Sequence, residues 1–216
     1  MFSAPVAKAT RPCGIAVFAL LFLTCTGHAQ GVSFGLSVGV PLNHLATADS
    51  SATATTCRYT FGPTLQVGLS HGFGFEAELL YKRLGFGLES NPAVLAVHRL
   101  ELPLLLRYVF RGSAFHPFLD AGVSFNRVIA VSGSNACAET VAREGVYCIG
   151  DKTVVALRHR HTRGFILGAG VDFARGSLRL SPELRVSRWV DRNFGTRDSL
   201  HRSNLTQIEL LLGLKF

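Results

Sequence analysis

Along most of this chain, large apolar residues occupy every second position. Phe34, Leu36, Val38, Val40 and Leu42 alternate with Ser33, Gly35, Ser37 and Gly39 over 33–42. The same period returns over 58–69, 73–84, 98–110, 117–127, 162–174, 178–190 and 204–216. In the last of these, Ile208, Leu210, Leu212, Leu214 and Phe216 are separated by polar or small residues such as Glu209, Gly213 and Lys215. A period of two predicts strands, each with one oily face and one polar face. Eight such segments predict an all-β fold. The connections after the second, fourth and sixth segments are tight, around 70–72, 111–116 and 175–177, and those after the first, third, fifth and seventh are longer. Successive strands are therefore antiparallel neighbours in a meander. Pro63, Pro103 and Pro182 fall inside three segments, where each removes a ladder donor, and bulges are expected beside them.

Alternation leaves open which face points inward. A soluble, lipocalin-like barrel turns its oily face in around a ligand. A transmembrane barrel turns it out, with short turns at one rim and long loops at the other. The polar face decides between them, because it is rich in glycine and carries both signs of charge. Glu76, Glu78, Lys82, Arg99, Glu101, Arg107, Asp172, Glu183, Arg185 and Glu209 lie on it, and a narrow lumen in which small residues make room for ion pairs accounts for that mixture. With Asp120, Arg179 and Lys215 added, seven acids face six bases. Aromatic residues also gather towards strand ends, as interfacial girdles require. The predicted fold is an eight-stranded antiparallel up-and-down transmembrane β-barrel whose lumen is filled by an ion-pair network.

Composition is consistent with one ordered domain: 216 residues, 48% hydrophobic, 17% charged and 22 glycines. The longest apolar run, 14–24, follows Lys8 and Arg11 and precedes Thr26-Gly27-His28-Ala29. It is shorter than a membrane-spanning helix needs, so residues 1–29 are expected to be a cleaved signal peptide and 30–216 the barrel domain. Export places Cys57, Cys137 and Cys148 in an oxidising compartment. Cys137 and Cys148 share one long connection and are the expected disulfide, with Cys57 free unless it competes for a partner.

Net charge is +8, and the Arg158-His159-Arg160-His161-Thr162-Arg163 run falls at the expected outer rim. Nucleic acid is implausible there; a solvated face is the commoner explanation of such a run, and the phosphates of lipopolysaccharide are the partner that suits it. Asp191, Asp198, Ser199 and His201 crowd the last long connection, yet catalytic triads are defined by geometry and not by sequence proximity. His159 and His161 have no further ligands at metal-site spacing. Neither a cofactor nor a metal is expected.

These blocks carry a family resemblance. Gly31 to Pro41, Leu79-Tyr81-Lys82-Arg83-Leu84, Leu102-Pro103-Leu104-Leu105, Pro117 to Gly122, Gly168-Ala169-Gly170-Val171, Ser181 to Arg185 and Gly213 to Phe216 resemble the small PorT-like outer-membrane β-barrel family, and more broadly the eight-stranded barrels of the outer-membrane protein A and X type. The resemblance implies residence in the bacterial outer membrane. It implies that Phe216 belongs to the signal read by the barrel assembly machinery, and it implies no defined chemistry. The expected function is that of a non-enzymatic structural or interaction barrel, monomeric, in contact with outer-membrane lipid and lipopolysaccharide, with extracellular loops as its contact surface. A narrow pore, a lipid-A-modifying enzyme and a soluble ligand carrier are the alternatives.

Overall fold

The computed structural model describes residues 31–43, 46–47, 58–88, 91–110, 115–133, 146–149, 153–157, 159–196 and 202–216. The expected signal peptide, Cys57 and Cys137 lie outside them. Eight strands form the body: β1 (Gly31–Pro41), β2 (Tyr59–Gly68), β3 (Phe73–Glu78 and Leu80–Leu88), β4 (Asn91–Val109), β5 (His116–Gly133), β6 (His161–Arg175), β7 (Leu178–Trp189) and β8 (Thr206–Lys215). Each pairs antiparallel with its sequence neighbours, and β8 returns to β1 with Gly35 opposite Lys215. The ring closes. A tight turn with His71 at φ 61° joins β2 to β3, and another with Gly176 at φ 65° joins β6 to β7, so one rim carries short turns and the other long loops.

Exposure follows the sequence period. Phe34, Leu36, Phe165 and Leu167 on the outer face are 55–65% exposed, while the charged residues of the alternate rows are almost fully buried. This is the reverse of a soluble barrel, and it removes the lipocalin-like alternative. An apolar wall around the whole circumference far exceeds the patches that water-soluble monomers carry. Hydrocarbon solvates such a wall, provided every backbone group is satisfied within the sheet. Aromatic rings gather at both ends of the wall. Phe73 and Tyr108 lie 4.9 Å apart at the short-turn end, and Phe61 and Tyr81 lie 5.3 Å apart at the long-loop end.

Two expectations are corrected. The third connection is short, because β3 continues to Leu88 and β4 already begins at Asn91. Its sequence, Asn91 to Val97, lacks alternation, and the hydrogen-bond ladder of the neighbouring strand extends the hairpin instead. The other long connections contain short strands of their own: Ala46–Thr47, Arg202–Ser203, Phe194–Thr196, Thr153–Leu157 and Val146–Ile149 pair in that order into a small second sheet.

The prolines are accommodated without the expected bulges. Leu79 donates its N–H to the Pro63 carbonyl at 3.0 Å, but Pro63 has no N–H to return, and β3 is interrupted at that one residue. The pairs on either side, Thr64 with Glu78 and Phe61 with Tyr81, keep a single register. Register is likewise unbroken past Pro182, from Gly170–Glu183 to Phe173–Leu180, and past Pro103, from Ala77–Leu104 to Leu80–Glu101. Among the described residues the shifts fall elsewhere, at Gly87/Leu88 and His98/Arg99. At the Pro63 gap the strands close up: a Cβ on Gly62 would stand 1.9 Å from the Leu79 carbonyl oxygen.

That spacing predicts a sharp contrast. Gly62→Ala should destabilise the barrel by roughly 2–3 kcal/mol, because backbone rather than a flexible side chain must give way. Gly31→Ala, with open space around its position, should be neutral. Guanidinium unfolding in detergent, read by heat-modifiable gel migration, checks both; equal midpoints for the two variants would contradict the close approach.

Candidate functional site

The inward rows of the eight strands converge on a lumen that is charged and almost completely buried. Seven acids (Glu76, Glu78, Glu101, Asp120, Asp172, Glu183, Glu209) and five bases (Lys82, Arg99, Arg107, Arg185, Lys215) are buried among the described residues. Arg179, expected inside, sits half-exposed at the short-turn rim, 3.8 Å from Asp172. The balance in the closed part of the lumen is therefore seven to five.

Three hubs organise these charges. Arg107 on β4 grips the Asp120 carboxylate on β5 through Nε at 2.8 Å and Nη2 at 2.7 Å. The same Nη2 is 2.9 Å from Glu76 on β3 and 3.5 Å from Glu183 on β7. Its guanidinium lies over the Phe118 ring, 3.8 Å from the centroid, a cation–π contact. Lys215 on β8 supports this hub from the far wall, 2.8 Å from Glu76 and 3.1 Å from Gln66. The second hub is Arg185 on β7, which holds Glu183 two residues back on its own strand through Nε at 2.7 Å and Nη2 at 3.1 Å, and donates through Nη1 to Glu78 on β3. The third is Lys82 on β3, 2.7 Å from Glu101 on β4 and bonded to Glu209 on β8.

Hydroxyls complete the carboxylates. Ser37 donates to Glu78 at 3.0 Å, Thr60 to Glu209 at 3.0 Å, Thr64 to Glu76 at 2.7 Å, Ser124 to Glu101 at 2.8 Å and Ser181 to Asp172 at 2.6 Å. The lone pairs that the bases leave over are thereby used, which matters because a half-satisfied buried network costs more than an apolar core. Glycine on β6 makes the space. A Cβ on Gly168 would stand 2.5 Å from a Glu183 carboxylate oxygen, and one on Gly170 would stand 2.4 Å from the Phe118 ring.

Sequence reasoning missed the apolar filling of the same lumen. Phe118, Ile166, Trp189 and Leu211 are buried on inward rows, and strict parity with Asp120, Gly168, Arg185 and Glu209 was the signal that places them there. It also missed an asymmetry. The hub at the short-turn end is densely bonded, with Arg107 Nη1 its one buried side-chain nitrogen lacking a hydrogen bond among the described residues. Towards the long-loop end, Arg99 Nε and Nη2, Asn126 Oδ1, Ser187 Oγ, Trp189 Nε1 and Gln207 Nε2 have no hydrogen-bond partner among the described residues. Arg99, counted with the network from sequence, is thus near Glu101 and Glu209 but makes no ion pair with either.

The remaining candidates are scattered. His159 is tied to Asn193, whose Nδ2 donates to the His159 carbonyl at 2.9 Å, and His161 stands exposed on the outer wall. No group of three or more metal-ligating side chains occurs among the described residues. Asp191 is exposed, while Asp198, Ser199 and His201 lie outside the described residues, as does Cys137. Cys148 belongs to the Val146–Ile149 strand of the rim sheet. Phe216 is 63% exposed, and its N–H donates to the Phe34 carbonyl at 2.8 Å, adding one more link between the ends of the barrel.

Comparison with known proteins agrees with this architecture. The family described as outer membrane protein beta-barrel domain matches residues 28–189. The outer membrane protein OprG from Pseudomonas aeruginosa is 16% identical, with 88% of this chain and 98% of that chain covered and a TM-score of 0.50. Outer Membrane Protein W of Escherichia coli is 15% identical over 88% of this chain and 100% of that one, with a TM-score of 0.49. Neisserial surface protein A is 13% identical over 86% and 98%, with a TM-score of 0.47. At 16% identity the likeness to OprG is one of fold. No curated protein sequence matches the chain.

Partnered and unpartnered guanidinium groups in one lumen should respond oppositely to neutralisation. Arg185→Met strands Glu78 without its base, leaves Glu183 only the longer contact with Arg107 at 3.5 Å, and should cost roughly 3–5 kcal/mol. Arg99→Met removes a buried charge that makes no ion pair with its neighbours Glu101 and Glu209 and should be neutral or stabilising. Unfolding midpoints in the same detergent decide the matter, and an equal loss in both variants would contradict the hub assignment.

Proposed function

Because the chain belongs to the outer-membrane β-barrel domain family and is a protein of the bacterial outer membrane, we propose that it is a non-enzymatic, monomeric barrel closed by its own side chains, with extracellular loops as its contact surface. One observation carries this reading: Arg185 on β7 bonds Glu78 on β3, and these strands are four places apart in a ring of eight. The pair spans the lumen. An eight-stranded barrel has an interior about wide enough for side chains alone, and a cross-lumen bond in an interior that also buries Arg107 and Ile166 supports a lumen closed to water. Short turns face the periplasm and long loops the exterior in barrels of this kind. The rim sheet then lies outside, and there a Cys137–Cys148 bridge would tie the loop between β5 and β6.

The finer assignments belong to the same proposal. The blocks from Leu79 to Leu84 and from Ser181 to Arg185 are what supports assigning the chain to the PorT-like branch. Outer-membrane lipid and lipopolysaccharide surround it, and the barrel assembly machinery reads Phe216. A narrow pore is the second reading, favoured by the partnerless polar atoms of Arg99, Asn126 and Gln207 at the outer mouth; it requires the Arg185–Glu78 pair to part. Of the candidates for a lipid-modifying enzyme, Asp191 is exposed, and Asp198, Ser199 and His201 lie outside the described residues.

In planar bilayers the wild type should give no steady single-channel current, and lipid A mass spectra should be unchanged by its expression. Steady conductance from the wild type would overturn the closed-barrel reading, and a new lipid A species would overturn the non-enzymatic one. Separately, Phe216→Ser should cut the heat-modifiable folded fraction in membranes several-fold. Normal levels of folded protein would refute the role given to that residue.

A further inference from the structure

The outer wall carries a second feature, on the opposite face of the strands from the lumen. A groove of about 530 Å³ runs along β4, β5 and β6 at the long-loop end. Its floor is apolar: Leu79, Leu100, Leu102 and Phe125 are all 37–50% exposed on the outside of the barrel. Its β5–β6 side is basic, formed by Arg127, His161 and Arg163, all exposed. None of these three side chains is held by a hydrogen bond or ion pair among the described residues, and of the two carboxylates lining the groove, Glu101 is taken up by Lys82 inside the lumen and the exposed Asp191 pairs with none of them.

Register explains the assembly. Tyr81 pairs with Leu100, Leu100 with Arg127 and Arg127 with His161, so the aromatic end of the wall passes into the two bases along one cross-strand row. In the next row, Leu102 pairs with Phe125 and Phe125 with Arg163. The basic run read from the sequence is divided by the strand period. His161 and Arg163 point out of the wall, Thr162 points into the lumen, and the Arg160 carbonyl is used by the Val128 N–H at 2.9 Å.

We propose that this groove binds a phosphorylated, acylated lipid of the outer leaflet, of lipid A type, with phosphate held by Arg127, His161 and Arg163 and an acyl chain along Leu100, Leu102 and Phe125. The proposal rests on the lipid-contact part of the reading above and names its site. Cross-strand partners such as Arg127 and His161 have Cβ atoms about 5 Å apart, close enough to engage one phosphate. Arg163 is two residues further along β6, roughly 7 Å away, and reaches a second anionic group. Guanidinium forks match phosphate oxygens in pairs. The floor is continuous with a wall that hydrocarbon already covers, which selects a lipid over a soluble anion as occupant.

Native mass spectrometry of the full barrel in detergent tests this with defined ligands: diphosphorylated lipid A, dephosphorylated lipid A, phosphatidylethanolamine and inorganic phosphate. The wild type should retain diphosphorylated lipid A at least tenfold better than the dephosphorylated form. R127Q/R163Q should lose that preference, and Phe125→Ser should weaken retention of both acylated forms without restoring it. Equal retention by the double variant, or no preference for phosphate in the wild type, overturns the site. Displacement of the lipid by inorganic phosphate at comparable concentration also overturns it, since the groove would then be a simple anion site. Heat-modifiable migration and ion-tightness of R127Q/R163Q are measured alongside. A variant that is folded and non-conducting but has lost lipid A leaves the closed-barrel reading standing, whereas conductance from wild type and variant alike strikes that reading and not the groove.

Discussion

Hydrocarbon offers a polypeptide no hydrogen bonds, and almost every feature of this barrel follows from that deprivation. A sheet bounded by lipid must satisfy its N–H and C=O groups internally, so its first and last strands must meet. Here β1 is paired on both sides, to β8 and to β2. Closure at eight strands fixes a narrow interior, and the narrow interior in turn dictates the chemistry of the residues that fill it. Charges placed there have little water to lean on. They are retained because each hub reaches carboxylates from two or more strands, and because five hydroxyls take up the oxygen lone pairs left over.

The same constraint explains why proline is tolerated inside three strands of a sheet that has no edge. Each proline withholds one donor, but the ladder on both sides of the gap holds its register, and a bulge would turn every following side chain from one face to the other. For this barrel such a slip would carry Glu76, Lys82 or Arg185 into lipid. A single missing hydrogen bond, of the order of 1 kcal/mol net, is the smaller penalty. At Pro63 it is further reduced by Gly62, whose lack of a side chain lets the Leu79 carbonyl lie close against the neighbouring backbone.

Basic residues divide into two populations by strand parity. Lys82, Arg107, Arg185 and Lys215 point inward and are consumed by carboxylates, which makes them structural. Arg127, His161 and Arg163 point outward at the lipid boundary and remain unengaged among the described residues. A net positive charge therefore says little by itself. What matters is which face each base occupies, since one face supplies counter-charges from the protein and the other must take them from the surroundings.

The period-two pattern specified the strand count and the division of residues between two faces, because a strand has only two faces and its local geometry assigns every residue to one of them; the connection lengths specified the meander, and the glycine and mixed charge of the polar rows turned that face inward. Parity also placed Phe118, Ile166 and Leu211 inside, although their apolar character disguised it. The pattern did not reveal the partners. That Arg185 meets Glu78 rather than Glu209, that Arg107 becomes the central hub, and that Arg99 is left without an ion pair depend on strand stagger and on rotamers across the lumen, which bring together residues such as Arg185 and Glu78, 107 positions apart. Nor did it reveal that the third connection is a continued hairpin, since backbone pairing with a neighbour extends a strand whether or not its side chains alternate. Sequence determined which face each residue serves; only closure of the ring decided which residues meet across it.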